Sequence, residues 1–140
     1  MFPGVKVMKK LIKKSIFVLA VVLAAGFVLA ACNMGGRPQT FTVTYEVTAN
    51  NINAADIGYH IPNHGVTPIQ TRPLPFSYTF EVTLASGEGS AAMIGASTPI
   101  GGGANENTEL TARILVNGAV VRTNTRHGIG SVTTSYPITN

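Results

Sequence analysis

From Phe41 the chain alternates, with Phe41, Val43, Tyr45 and Val47 apolar and Thr42, Thr44, Glu46 and Thr48 polar between them. A period of two sends successive side chains to opposite faces of an extended chain, so this stretch predicts a strand with one wet face. Asn50 to Ala54 interrupts the pattern. Ile57, Tyr59 and Ile61 resume it against Gly58 and His60, and Pro62-Asn63-His64-Gly65 ends it as a turn. A weak strand is expected around Val66 to Thr71, closed by Arg72-Pro73-Leu74-Pro75. The strongest alternation follows, with Phe76, Tyr78, Phe80, Val82 and Leu84 on one face and Ser77, Thr79, Glu81 and Thr83 on the other. Ser86-Gly87-Glu88-Gly89 turns the chain, residues 91 to 97 make a modest strand around Met93 and Ile94, and Thr98 to Asn107, with its three consecutive glycines, reads as a flexible loop.

Leu110, Ala112, Ile114 and Val116 alternate up to Asn117-Gly118, a hairpin signal because a type I′ turn needs positive φ at both central residues. A two-residue turn fixes the register. It pairs Val116 with Ala119, Ile114 with Val121 and Ala112 with Thr123, and places Arg113, Leu115, Val120 and Arg122 together on the opposite face. A last strand is expected from about Gly130 to Tyr136, with Val132 and Tyr136 inward. No helical pattern follows residue 32. Seven or eight short strands separated by turns predict an all-β fold, an immunoglobulin-like antiparallel β-sandwich over residues 41–138, preceded by a signal-peptide helix.

Residues 1–31 carry a different pattern. A lysine-rich head leads into the apolar run Ile16 to Ala31, and Leu29-Ala30-Ala31-Cys32 closes it. This is the layout of a secretory signal. The run is shorter than the roughly 18 residues that mark a membrane-spanning helix. Leu29 to Cys32 resembles the bacterial lipobox, in which the cysteine thiol is diacylglycerylated and the peptide is cut between Ala31 and Cys32. Met8-Lys9-Lys10 suits the start of such a peptide better than Met1 does. Residues 32–40 then form a lipidated tether. Two or more acyl chains anchor stably where one does not, so the expected location is extracytoplasmic, held by lipid on Cys32 to the cell membrane or the outer membrane. Cys32 is the only cysteine, so no internal disulfide is available.

Composition changes the picture only once it is divided. The formal charge is +4, but the five lysines all lie between Lys6 and Lys14. From residue 32 onward, five arginines stand against six carboxylates, a net of −1. The clustered cations that neutralise phosphate are absent from this part of the sequence, so no nucleic-acid partner is expected.

FTVTYEVTA from Phe41, ADIGY from Ala55, RPLPFSYTFEV from Arg72 and ARILVNGAVV from Ala112 resemble, in that order, the extracytoplasmic domain of the mycobacterial membrane protein small (MmpS) family. The resemblance spans about residues 41 to 136. It implies an immunoglobulin-like sandwich without catalysis, acting as an accessory subunit of an MmpL-type lipid or siderophore exporter. Members of that family usually keep a transmembrane helix where this chain has a lipobox. They also often carry a cysteine pair where this chain has Ala112 and Thr134 or Ser135.

No catalytic constellation emerges. His60 and His64 with Asp56 offer nitrogen and oxygen donors of the kind that bind zinc, but their spacing aligns ligands on a helix and not across a strand and a turn. They read as turn histidines, and neither a metal nor a cofactor is expected. Ser86-Gly-Glu-Gly lacks the flanks of a nucleophile elbow, and Gly101-Gly102-Gly103 has no helix behind it to cradle phosphate. The stripe Tyr45, Phe76, Tyr78 and Phe80 reads as core in preference to a sugar or lipid platform. The face with Arg113, Leu115, Val120 and Arg122 is the candidate partner patch for a transporter protein. The alternative is a solute- or glycan-binding lipoprotein using the loops around His60 to His64 and Thr98 to Asn107.

Overall fold

In a computed structural model, residues 36–140 are described. The signal peptide at 1–31, the cleavage and lipidation positions Ala31 and Cys32 and the first part of the 32–40 tether lie outside the described residues. Nine strands follow: β1 (Gln39–Ala49), β2 (Ala54–Ile61), β3 (Gly65–Val66), β4 (Gln70–Pro73), β5 (Phe76–Leu84), β6 (Gly89–Ser97), β7 (Glu109–Val116), β8 (Ala119–His127) and β9 (Ser131–Thr139). They build two antiparallel sheets. The first has the order β5-β1-β7-β8, and the second has β3-β2-β6-β9 with β4 also paired to β2. The fold is thus the expected all-β sandwich.

The alternation read from the sequence decides which side chains face inward. Val43, Tyr45 and Val47 of β1 and Leu110, Ala112 and Ile114 of β7 meet Ile57 of β2 and Ala92 and Ile94 of β6 in one continuous core. Each large aliphatic side chain buried this way contributes about 1.5–3 kcal/mol relative to exposure. Phe76, Tyr78 and Phe80 on the edge strand β5 are half-buried against this core. Tyr59 stacks obliquely on Tyr78 with ring centroids 4.8 Å apart, so the aromatic stripe is packing. No buried side-chain polar atom lacks a partner among the described residues, and Arg37–Asn140 forms one unit closed around its own core. The outer face of the first sheet is threonine-rich, with hydroxyl pairs Thr40–Thr83, Thr44–Thr79 and Thr111–Thr125 at 2.8, 2.9 and 2.9 Å.

Two local expectations change. The single weak strand at Val66 to Thr71 is divided into β3 and β4. Thr67 sits at the break: its own N–H still donates to Tyr59 O at 2.8 Å, but its Oγ1 accepts from Tyr59 N–H at 3.0 Å and donates to Tyr59 O at 2.9 Å, so a side chain replaces one half of the ladder pair. Pro68 then has no N–H with which to resume pairing.

The hairpin register differs from that of a regular ladder. Asn117 and Gly118 have φ of 51° and 80°, as the turn requires, and Val116 pairs with Ala119 and Leu115 with Val120. A β-bulge follows. Ile114 then pairs with Arg122, and Ala112 with Asn124, in place of Val121 and Thr123. Val121 is the extra residue and packs partly against the core.

Candidate functional site

The bulge takes Arg122 out of the expected partner patch. Leu115 and Val120 remain cross-strand neighbours with Arg113 on the outer face of the first sheet, and Val120 is 55% exposed. Arg122, now opposite the inward residue Ile114, leaves that face and lies over the Tyr136 ring of β9 at 5.9 Å. Asn124 follows it and donates to Thr133 O at 2.8 Å. The guanidinium therefore latches one open edge of the sandwich, and three of the four patch residues stay together.

The histidines are engaged separately. His60 Nδ1 donates to Ala91 O at 3.0 Å and His64 Nδ1 to Pro62 O at 3.3 Å. Among the described residues no three His, Cys, Asp or Glu side chains come together in a geometry that could hold a metal. The loop from Thr98 to Asn107 is tied down in its second half, where Asn50 donates to Asn107 O and accepts from Glu109 N–H.

A concavity lies elsewhere, on the outer face of the second sheet. Its floor comes from two glycines that face each other across β2 and β6, since Gly58 pairs with Gly95. Where neighbouring cross-strand rows carry side chains, this one is bare. Val66 and Ile69, in the segment displaced by Thr67, form one wall and Met93 stands on the β6 side. These three are 69%, 74% and 40% exposed, although all are apolar. The groove encloses about 270 Å³, a little below the roughly 300–1,000 Å³ of common small-molecule sites. At one end, Asp56 of β2, Ser97 of β6 and Ser131 of β9 form a single cross-strand row. Asp56 accepts a hydrogen bond from the Thr71 hydroxyl.

Neither glycine owes its place to backbone conformation, because neither has positive φ. Glycine inside a strand costs about 0.5–1 kcal/mol relative to alanine. What it supplies here is depth. A Cβ on Gly58 would stand 3.0 Å from Ile69 Cγ1, and one on Gly95 would stand 3.4 Å from Thr133 Oγ1. Gly58 is thus held small partly by the wall above it, whereas Gly95 mainly keeps the floor low.

Tyr45 fixes the sheet beneath the groove. Its ring belongs to the core, and its hydroxyl crosses to the second sheet, donating to His60 O at 2.6 Å and accepting from Met93 N–H at 2.9 Å. His60 and Met93 are the last pair of the β2–β6 ladder, so the hydroxyl ends that ladder and sets the backbone of the Met93 wall. Burial pushes the Tyr45 hydroxyl up to about 12, opposed in smaller part by the bond from Met93. Burial also raises Tyr59, assisted by neighbouring Tyr78.

The sequence singled out His60, Thr98 and the hairpin, but not this groove. The signal was present as Gly58 and Gly95 inside strands, where glycine marks a close approach by another group. No family model matches the chain, and no curated protein matches it closely enough to indicate a family.

Proposed function

We propose that the chain is an extracytoplasmic lipoprotein, anchored through Cys32, that acts by binding and not by catalysis, and that its ligand lies in the glycine-floored groove of the second sheet. The observation that carries this reading is the exposure of Val66, Ile69 and Met93 around a floor that two strand glycines keep empty of side chains. Apolar side chains lining a concavity with a few polar groups at one end are the usual composition of a small-molecule site. The ligand site thereby moves from the loops to a sheet face.

The domain Arg37–Asn140 and its Gly95→Val variant test the binding. Addition of 1-octanol raises the melting temperature of the wild type by ligand linkage and leaves the variant unchanged, while both melt cooperatively. Equal shifts in the two overturn the groove. The anchor is tested by intact mass of material from a bacterial membrane fraction: a chain starting at Cys32 with a diacylglyceryl adduct supports it, and an unmodified chain retaining Ala31 contradicts it.

A second reading is an accessory role toward an MmpL-type lipid or siderophore exporter. Leu115 and Val120 favour it, a half-buried and an exposed apolar side chain paired across the hairpin beside Arg113 on the outer face of the first sheet. Substituting both by Ser should leave the fold intact and abolish co-purification with a transporter subunit.

A further inference from the structure

The groove has a direction. Of the residues that line it, Asp56 is the only one that carries a charge at neutral pH. It sits at one end, between Thr71 of β4 and Ser97 of β6 in its own cross-strand row, with Ser131 of β9 beyond Ser97. The next row is the bare pair Gly58 and Gly95, continued by Thr133, and the row after that brings Met93 between His60 and Ser135. Val66 and Ile69 overhang from the side. Along the lining, a polar end, a floor of two glycines and the apolar side chains of Met93, Val66 and Ile69 therefore follow one another.

The nearest arginine in register does not neutralise Asp56. Arg72 pairs with Ala55, whose side chain is buried in the core, and so faces the opposite side of the sheet, where it donates to Gln70 Oε1 at 2.6 Å. The neighbour that Asp56 does engage is the hydroxyl of Thr71, through Oδ1. A carboxylate accepts at two oxygens and about four lone-pair sites, so acceptor capacity remains for a ligand.

Resting on the groove reading above, we propose that the site takes a cationic amphiphile: a small molecule with an ammonium or similar positively charged donor head seated on Asp56, Ser97 and Ser131. Its slender apolar body lies over Gly58 and Gly95 against Val66, Ile69 and Met93. The lone negative charge at the polar end selects the sign of the head, and the glycine floor admits the thickness of a chain. An anionic amphiphile of the same length meets Asp56 with like charge and is rejected.

Calorimetric titration of the domain Arg37–Asn140 with octylammonium chloride, 1-octanol and sodium octanoate, each below micelle-forming concentration, separates the claims. Octylammonium is expected to bind about tenfold tighter than octanol, as one hydrogen bond to a charged group provides, with octanoate the weakest. Asp56→Asn removes the ammonium advantage, so that octylammonium and octanol bind alike; Gly95→Val removes binding of all three. Equal binding of the three probes, or octanoate as the tightest, overturns the cationic head while the groove reading stands. Absence of binding by every probe overturns the groove reading itself. Should Asp56→Asn melt early, the ranking on the wild-type domain decides alone.

Discussion

Tyr45 joins the two sheets with a single atom. Its hydroxyl is the acceptor for Met93 N–H and the donor to His60 O, so Tyr45→Phe leaves two buried backbone groups without partners. The expected cost is about 1–3 kcal/mol, measured by urea unfolding. The same residue sets an alkaline limit. With the folded value raised to about 12 from an ordinary 10, the neutral form is favoured by the fold. That contribution is complete below pH 10 and is lost as pH rises from 10 to 12, amounting to roughly 2–3 kcal/mol by the upper value. Stability of the wild type should fall across this window, and the Phe variant should lose that part of the slope. Identical pH profiles would show that the hydroxyl is not held neutral by burial. Gly95 makes the opposite case. Gly95→Ala should stabilise the domain by about 0.5–1 kcal/mol while shallowing the groove, and a destabilised alanine variant would mean that the glycine serves the backbone.

The elements were largely legible because alternation is a local property: β1, β5 and the start of the hairpin follow directly from the placement of Thr against Val, Tyr and Phe. What escaped depends on non-local pairing. A bulge between Ile114 and Leu115 leaves no mark in a sequence where Val120 and Val121 are both apolar, since the period of two cannot tell which of them is extra. The break between β3 and β4 likewise depends on Thr67 reaching Tyr59, eight residues away. Thr67→Val should remove both of its side-chain bonds, leave Tyr59 N–H unpartnered and cost about 1–3 kcal/mol. Hydrogen exchange at the Tyr59 amide should accelerate. Unchanged protection there would show that another group holds this segment in place. At the hairpin, Gly118 has φ of 80°, a conformation that costs a non-glycine residue about 1–2 kcal/mol, so Gly118→Ala should lower the urea midpoint by a corresponding amount.

For the whole molecule, charge and binding chemistry separate along the chain. The lysines belong to the N-terminal segment, and the sandwich, at net −1 from residue 32 onward, offers a groove whose single charge is negative. The chain enters at the start of β1, beside Asn140, whose Nδ2 donates to Arg37 O and Leu84 O. The Asp56 row lies toward the opposite end of the sandwich, where Thr98 donates through its N–H to Gly130 O. The described chain therefore enters the sandwich at the end away from the polar end of the groove. The charge division could be read in one dimension, but the groove could not, because it exists only when Gly58 and Gly95, in strands separated by three others along the chain, become partners. The most direct test is a ¹H–¹⁵N correlation spectrum of the domain Arg37–Asn140 titrated with octylammonium chloride. Shifts are expected at the amides that line the groove, Asp56, Gly58, Val66, Ile69, Met93, Gly95, Ser97 and Ser131. Shifts concentrated in the Thr98 to Asn107 loop or on Leu115 and Val120, with the groove amides unmoved, would contradict it.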